Sequence, residues 1–179
     1  MAARRRLMRG AESTQYSSPQ MEPDQQQFRV VMGHFATGVT VVTGSGPAGA
    51  VGMTTNAICS LSLDPLLVLV CFDNTARTLP VVRNTGRFGV NVLRTGQERL
   101  SGHFASKLPP EEKFELVEHR SEEGVPILDA ALAWLACELR ELVPGGDHTI
   151  GIGAVLSMGH SAGEPLVWYR GSYTSVARP

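Results

Sequence analysis

The stretch Gly44-Ser45-Gly46-Pro47-Ala48-Gly49 (GSGPAG) follows the β-branched apolar run Val39-Thr40-Val41-Val42-Thr43. As a pattern it is G-x-G-x-x-G after a strand, the opening of a dinucleotide-binding fingerprint. Asp64 stands about twenty residues on, where an acidic ribose ligand belongs. That fingerprint works only if the glycine turn delivers a pyrophosphate to a helix N-terminus. Here the helix would have to run through Pro47, Gly49, Val51 and Gly52, with Thr54 and Thr55 beyond, a composition that opposes helix formation. Asp64 precedes its apolar run and adjoins Pro65, and Asp73 at the end of that run has no crossover helix before it. GSGPAG therefore reads as a hairpin turn with residues 50–55 as the return strand.

Residues outside this hairpin carry the same β-rich signal. Residues 66–72 form a strand-sized apolar run after the Asp64-Pro65 turn, and residues 88–93, 114–119, 149–158 and 166–170 are further predicted strands. Three short helices are predicted. Asp24 caps the first, which sets Phe28, Val31, Met32 and Phe35 on one face and stops before Gly38. The second spans residues 75–84 and is closed by Gly86. The third is opened by Thr95-Gly96-Gln97-Glu98 as a capping box and runs through Leu100 and Phe104. Residues 131–142 carry Leu132, Leu135, Leu139 and Leu142 at helical spacing, with helix-forming composition. The strand–helix alternation of a doubly wound sheet is missing, which makes an antiparallel barrel the better architecture.

The 179 residues suit one domain with a substantial core, 42% hydrophobic and 18% charged. No apolar run approaches the roughly 20 residues of a membrane helix. Residues 1–23 differ: four arginines and a polar Ser/Gln/Pro segment without periodicity predict a disordered tail ahead of a domain over residues 24–179, an arginine-rich address or nucleic-acid contact being the alternative. Four of the 16 basic and two of the 17 acidic residues fall in that tail, which leaves a net charge of −3 for the remainder. Such a balance recruits neither nucleic acid nor an anionic membrane. Cys59, Cys71 and Cys137 are odd in number, widely spaced and set among apolar neighbours, so they read as small buried hydrophobes rather than metal ligands or disulfides. No signal peptide is visible, and a cytoplasmic location is expected.

The polar run Met53-Thr54-Thr55-Asn56-Ala57 through Ser60-Leu61-Ser62-Leu63-Asp64-Pro65 crowds hydroxyls and an amide into what should be core strand. Buried polar groups need partners. The run reads either as a half-exposed strand or as a wall of donors and acceptors facing a flat polar ligand.

At these residues the chain resembles the small flavin reductases of two-component monooxygenases, which share the flavin reductase-like split barrel. The likeness rests on F-x-x-x-x-G-H-F-A-T-G-V-T-V-V-T from Phe28, G-M-T-T-N-A followed by S-L-S-L-D-P, F-G-V-N-V-L, the H-F-A segment, Gly146-Asp147-His148-Thr149, and Tyr169-Arg170-Gly171-Ser172-Tyr173. It spans about residues 28–175. The resemblance implies a mainly β, homodimeric Greek-key split barrel that binds FMN or FAD near the subunit interface, with NADH or NADPH as co-substrate and a separate oxygenase as partner. It also turns residues 131–142 from helix to strand.

By the same resemblance Met53, Thr54, Thr55, Asn56, Ala57, Ser60, Leu61 and Ser62 line the flavin, with Asn91 near it. Asn74, Arg77, Thr78 and Lys107 are candidates for its phosphate, although Arg77 and Lys107 read equally as surface cations. His103 and Phe104 belong to the same set, but His103, like His119 and His160, also reads as an ordinary surface or helix residue. His148 matches the position that meets the nicotinamide, Tyr173 helps to close that pocket, and His34 is a minor candidate. No metal site is implied. The expected reaction is hydride transfer to flavin. The alternatives are a fixed flavin serving another acceptor (a quinone, nitro compound or ferric complex), or a non-catalytic flavin-binding partner of an oxygenase.

Overall fold

The computed structural model describes residues 23–176; the predicted N-terminal tail lies outside the described residues apart from its last position. Helix α1 (Gln25–Met32) starts where Asp24 accepts a hydrogen bond from the Gln27 N–H at 2.7 Å. It ends earlier than predicted, at Gly33, because the Gly33 carbonyl is taken by the Arg170 N–H at 2.8 Å. Its apolar stripe faces solvent in the single chain: Phe28, Val31, Met32 and Phe35 are all exposed, Phe35 at 69%.

Strands β1 (Thr37–Gly38), β2 (Thr40–Gly46) and β3 (Gly49–Thr55) follow. β2 and β3 pair in register down to Gly46 opposite Gly49, which leaves Pro47-Ala48 as the turn. Gly49 has φ of 110°, a conformation that a side chain would strain. No helix follows the glycines, so the dinucleotide fingerprint has no structural counterpart here.

β4 (Ile58–Leu63) and β5 (Leu66–Asp73) form a second hairpin around Asp64-Pro65. The chain continues through α2 (Thr78–Thr85), stopped by left-handed Gly86, then β6 (Arg87–Val92), α3 (Glu98–Ala105) and α4 (Pro110–Phe114). It finishes with β7 (His119–Glu122), β8 (Val125–Leu128), β9 (Ala133–Gly145), β10 (His148–His160), β11 (Val167–Tyr169) and β12 (Ser172–Thr174).

Three expectations change. Residues 114–119 are not one strand: Pro110 starts a helical turn that ends at Phe114, whose ring packs edge-on to Phe104 at 5.2 Å. The capping box does not form, because the Thr95 hydroxyl donates to the Pro165 carbonyl and Gln97 stands at the N-cap. Nor are all three cysteines core: Cys137 is buried, its thiol pushed up to about 12 by that burial, whereas Cys71 is half-buried and Cys59 exposed.

Seven strands form one antiparallel sheet in the order β3-β2-β6-β9-β10-β5-β4, with β1-β11-β12 and β7-β8 as smaller sheets. β2 is covered on both sides. Val42 joins Phe72, Phe88, Val82 and Cys137 in one core, while Val41 joins Phe104, Leu128 and Leu166 in the other. Two-sided burial explains its continuous apolar run.

Leu135, Leu139 and Leu142 lie in β9, and Leu132 stands just before it. Their helix-like spacing is reconciled by a β-bulge: Gly153 pairs with Leu139 and Ile152 with Glu141, so Arg140 is the extra residue. The bulge returns Leu142 to the face that already carries Leu135 and Leu139, and all three pack on one core.

Candidate active site

Two clefts adjoin the end of β3. The first, about 470 Å³, is bounded by β3, by the turn from β5 into α2, and by the segment from α3 to α4. β5 ends at Asp73, whose carboxylate accepts from both the N–H and the hydroxyl of Thr75 at 2.7 Å. This Asx-type turn sets the entry to α2. The Thr75 hydroxyl, then the Thr75 N–H and the neighbouring His148, hold the Asp73 carboxyl below its ordinary range.

Arg77, next along, donates to the Leu108 carbonyl at 3.3 Å and so ties the α2 entry to the α3–α4 connection. Lys107 lines the same space. Beneath them lies Lys113 of α4, only 7% exposed, its Nζ donating to the carbonyls of Phe104 (2.8 Å) and Gly52 (3.4 Å). Burial, then the charge of Arg77, pushes the Lys113 ammonium below the usual lysine range. Among the described residues none of these three cations has an ion-pair partner. An unneutralised cationic cleft suits an anionic ligand such as a phosphate.

The second cleft, about 280 Å³, is lined by Thr54, Thr55, Asn56, Ser101, Trp168 and Tyr173, among others. Its polar wall is held in place by its own hydrogen bonds. The Thr54 hydroxyl donates to the Ser101 carbonyl (2.6 Å), Tyr173 OH donates to Ser101 Oγ (3.0 Å), and the Asn56 amide donates to Thr37 Oγ1 (3.0 Å). Trp168 and Tyr173 meet edge to face at 4.9 Å, an aromatic corner beside the hydroxyls. Thr54 and Ala105 line both clefts, which are therefore neighbours. A hydroxyl- and amide-bearing wall beside aromatic rings suits a flat heteroaromatic ligand.

The family model described as the flavin reductase like domain matches residues 32–177. The chain belongs to this family. An NADH-dependent flavin reductase from a Rhodococcus species is 40% identical over 152 residues, covering 83% of this chain and 85% of that protein. The reductase subunit HsaB of a flavin-dependent monooxygenase from Mycobacterium tuberculosis is 39% identical over 163 residues, covering 89% and 85%. Among solved structures, the Streptomyces globisporus NADH:FAD oxidoreductase SgcE6, in complex with NAD and FAD fragments, superposes with a TM-score of 0.81 at 38% identity, covering 86% of this chain and 93% of that one.

Within this flavin reductase-like domain the expected residues fall into three groups. Met53, Thr54, Arg77, Thr78, Phe104 and Lys107 line the first cleft, and Thr54, Thr55, Asn56 and Tyr173 the second. His148 and Asn74 sit beside the first cleft without lining it. His148 starts β10 opposite Asp73, and its Nδ1 lies 2.7 Å from Asp147 Oδ1. Asn74 clamps that same loop, donating to the Gly146 carbonyl and accepting from the Thr149 hydroxyl at 2.7 Å.

The remaining residues lie elsewhere in the single chain. Ala57 lies in the β3–β4 corner, and Ser60, Leu61 and Ser62 lie along edge strand β4. His103 is hydrogen-bonded to the Lys113 carbonyl at 3.0 Å, and His34 to the Val30 carbonyl at 2.8 Å. Asn91 is fully buried: its amide donates to the Val41 carbonyl (3.1 Å) and its Oδ1 accepts from the Leu128 N–H (2.8 Å). It splices β8 to the sheet and presents no free polar atom to either cleft.

Sequence reasoning missed Lys113, Ser101 and Trp168. Lys113 sits in Glu111-Glu112-Lys113-Phe114, which reads as a solvated charge run, and only the tertiary contact with β3 buries it. Among the described residues no group of three or more His, Cys, Asp or Glu side chains could hold a metal ion.

Proposed function

We propose that the chain is an NAD(P)H:flavin oxidoreductase whose reduced flavin serves a separate oxygenase. The observation that carries this reading is the pair of adjoining clefts, one cationic and one walled by hydroxyls, amide and aromatic rings, joined at Thr54 in a chain of this family. The donor set fits a flavin nucleotide. Thr54, Thr55, Asn56 and Tyr173 offer hydrogen bonds to a polar ring edge, while Arg77, Lys107 and Lys113 offer charge to a phosphate. When bound, the flavin accepts a hydride from the reduced nicotinamide. Hydride transfer needs alignment rather than acid–base help, so the contribution of this chain is to bind, orient and exclude water.

His148, fixed by Asp147 at the rim of the first cleft, is placed to contact the nicotinamide cofactor. Replacing it with alanine should raise KM for the reduced nicotinamide about tenfold, the equivalent of one aromatic contact of ~1.4 kcal/mol, and leave KM for flavin unchanged. Steady-state kinetics with each substrate varied in turn check this; a rise confined to the flavin KM would reassign the residue.

A homodimeric split barrel fits the apolar surface that the single chain leaves uncovered: Phe28, Val31 and Phe35 of the N-terminal segment, Leu61, Leu63 and Leu66 of the β4–β5 hairpin, and Met158 of β10. A second subunit against β4 would bring Ser60, Leu61 and Ser62 into a shared site. Three free cysteines agree with a cytoplasmic, reducing setting, and no helix among the described residues is long and apolar enough to cross a membrane.

The test is oxidation of NADH or NADPH, followed by the loss of reduced-nicotinamide absorbance, with purified protein and added FMN, FAD or riboflavin. Turnover with at least one pairing is expected. Flavin binding without oxidation under any pairing would leave a binding module and end the reductase reading.

A further inference from the structure

The tip of the β9–β10 hairpin is the turn Gly146-Asp147, set between the paired residues Gly145 and His148. Gly146 takes φ of 73°, which glycine adopts without strain. His148 opens β10, so its placement depends on how this turn is held. Its own side-chain contact, Nδ1 to Asp147 Oδ1 at 2.7 Å, comes from a residue of the same turn whose side chain is 95% exposed. That contact fixes the ring to the turn. It does not fix the turn to the domain.

Asn74 makes this second tie. It follows the last residue of β5, at the approach to α2, and reaches the hairpin tip through three hydrogen bonds. Its main-chain N–H donates to the Asp147 carbonyl at 3.1 Å. Its Nδ2 donates to the Gly146 carbonyl at 3.2 Å, and its Oδ1 accepts from the Thr149 hydroxyl at 2.7 Å. The carboxamide cannot be reversed, because a carbonyl only accepts and the nitrogen must therefore face Gly146. The partners lie on both sides of the histidine, Gly146 and Asp147 before it and Thr149 after it. Asp73, the neighbour of Asn74, is the register partner of His148 itself.

Both ends of the Asn74 carboxamide are thus engaged by the hairpin, and the residue lines neither cleft. Thr75 and Arg77, just beyond it, do line the first cleft. Asn74 therefore joins the wall of that cleft to the loop that carries His148. This sets it apart from Arg77, Thr78 and Lys107, with which the family resemblance groups it as a phosphate candidate.

We propose that Asn74 is a positioning residue for His148: its side chain locks the hairpin tip and so holds the imidazole at the rim of the first cleft before the nicotinamide cofactor arrives. The inference rests on the reading of His148 as the nicotinamide contact and adds the residue that keeps it in place. Preorganisation of this kind shows in KM, because an unlatched tip must be ordered each time the cofactor binds. Side-chain hydrogen bonds of ordinary net strength correspond to about threefold to fivefold.

Steady-state kinetics with nicotinamide and flavin varied in turn test this on wild type, Asn74→Ala, Thr149→Val, His148→Ala and the double variant Asn74→Ala/His148→Ala. Flavin titration, Tm and amide hydrogen exchange at the hairpin tip accompany each. Asn74→Ala should raise KM for the reduced nicotinamide about threefold to fivefold, lower kcat less, and leave Kd for FMN and for riboflavin unchanged. Exchange at residues 146–149 should quicken in the same variant. Thr149→Val keeps the branched shape but removes the hydroxyl that Asn74 binds, and should move the same KM in the same direction by a smaller factor. Without the imidazole there is nothing left to position, so the double variant should match His148→Ala alone. A lower Tm or faster exchange with the nicotinamide KM intact would reduce Asn74 to a brace of the hairpin, and unchanged exchange would remove even that role. Effects on KM that multiply in the double variant would mean that Asn74 acts apart from His148. Weaker binding of FMN but not of riboflavin would return it to the phosphate. An unchanged nicotinamide KM in His148→Ala would overturn the reading of His148 itself, and the inference with it.

Discussion

Replacing Phe88 with alanine should lower the unfolding free energy by about 3–5 kcal/mol. Phe88 lies in β6, between β2 and β9 in the centre of the seven-stranded sheet, and none of its side chain is exposed. Its ring meets Phe72 of β5 edge to face at 5.9 Å, and it reaches across β9 to Gly153 of β10. A Cβ at Gly153 would come within 2.6 Å of Phe88 Cε1, so the glycine makes room for the ring. Truncation therefore leaves a cavity bounded by main chain on one side, which collapses poorly, and the cost falls toward the upper end of the range. Denaturant unfolding measures it. A loss below about 1 kcal/mol would mean that the sheet closes over the gap and that the packing described is wrong.

Asn91→Ala should cost about 2–4 kcal/mol of stability and change flavin affinity little in the protein that remains folded. The family resemblance implies that Asn91 lies near the flavin, and the fold commits its carboxamide to Val41 and Leu128 inside the core. Alanine strands the Leu128 N–H without solvent, and a buried group left unpaired costs its full desolvation penalty. Unfolding experiments paired with flavin titration separate the two roles. Unchanged stability together with a raised flavin Kd would return Asn91 to the site.

These two residues show where the sequence is legible. Phe88 is predicted in a strand and lies in β6, because alternation and β-branching are local signals. The GSGPAG turn was also readable, since the residues that follow it cannot make the helix a pyrophosphate needs. Thr54, Thr55 and Asn56 stand out in the sequence as polar groups in a strand, and they line a cleft wall. Asn91 carries the same polar-in-strand signal, yet its partners come from β2 and β8, which no local pattern reports.

Lys113 fails in the opposite direction. Beside two glutamates it looks like a solvated charge, and only packing of α4 on β3 removes its water. The leucines of β9 mislead for a third reason. A single bulge at Arg140 shifts the strand period by one residue, and a shifted period of two imitates a helical one.

Whether flavin is a substrate of this chain is tested most directly by the dependence of nicotinamide oxidation on free flavin. Protein freed of small molecules by gel filtration should oxidise NADH or NADPH negligibly on its own. The rate should then rise from that baseline and saturate as FMN or FAD is added. Full turnover without added flavin, unaltered by its addition, would contradict the account and make the flavin a fixed group serving another acceptor.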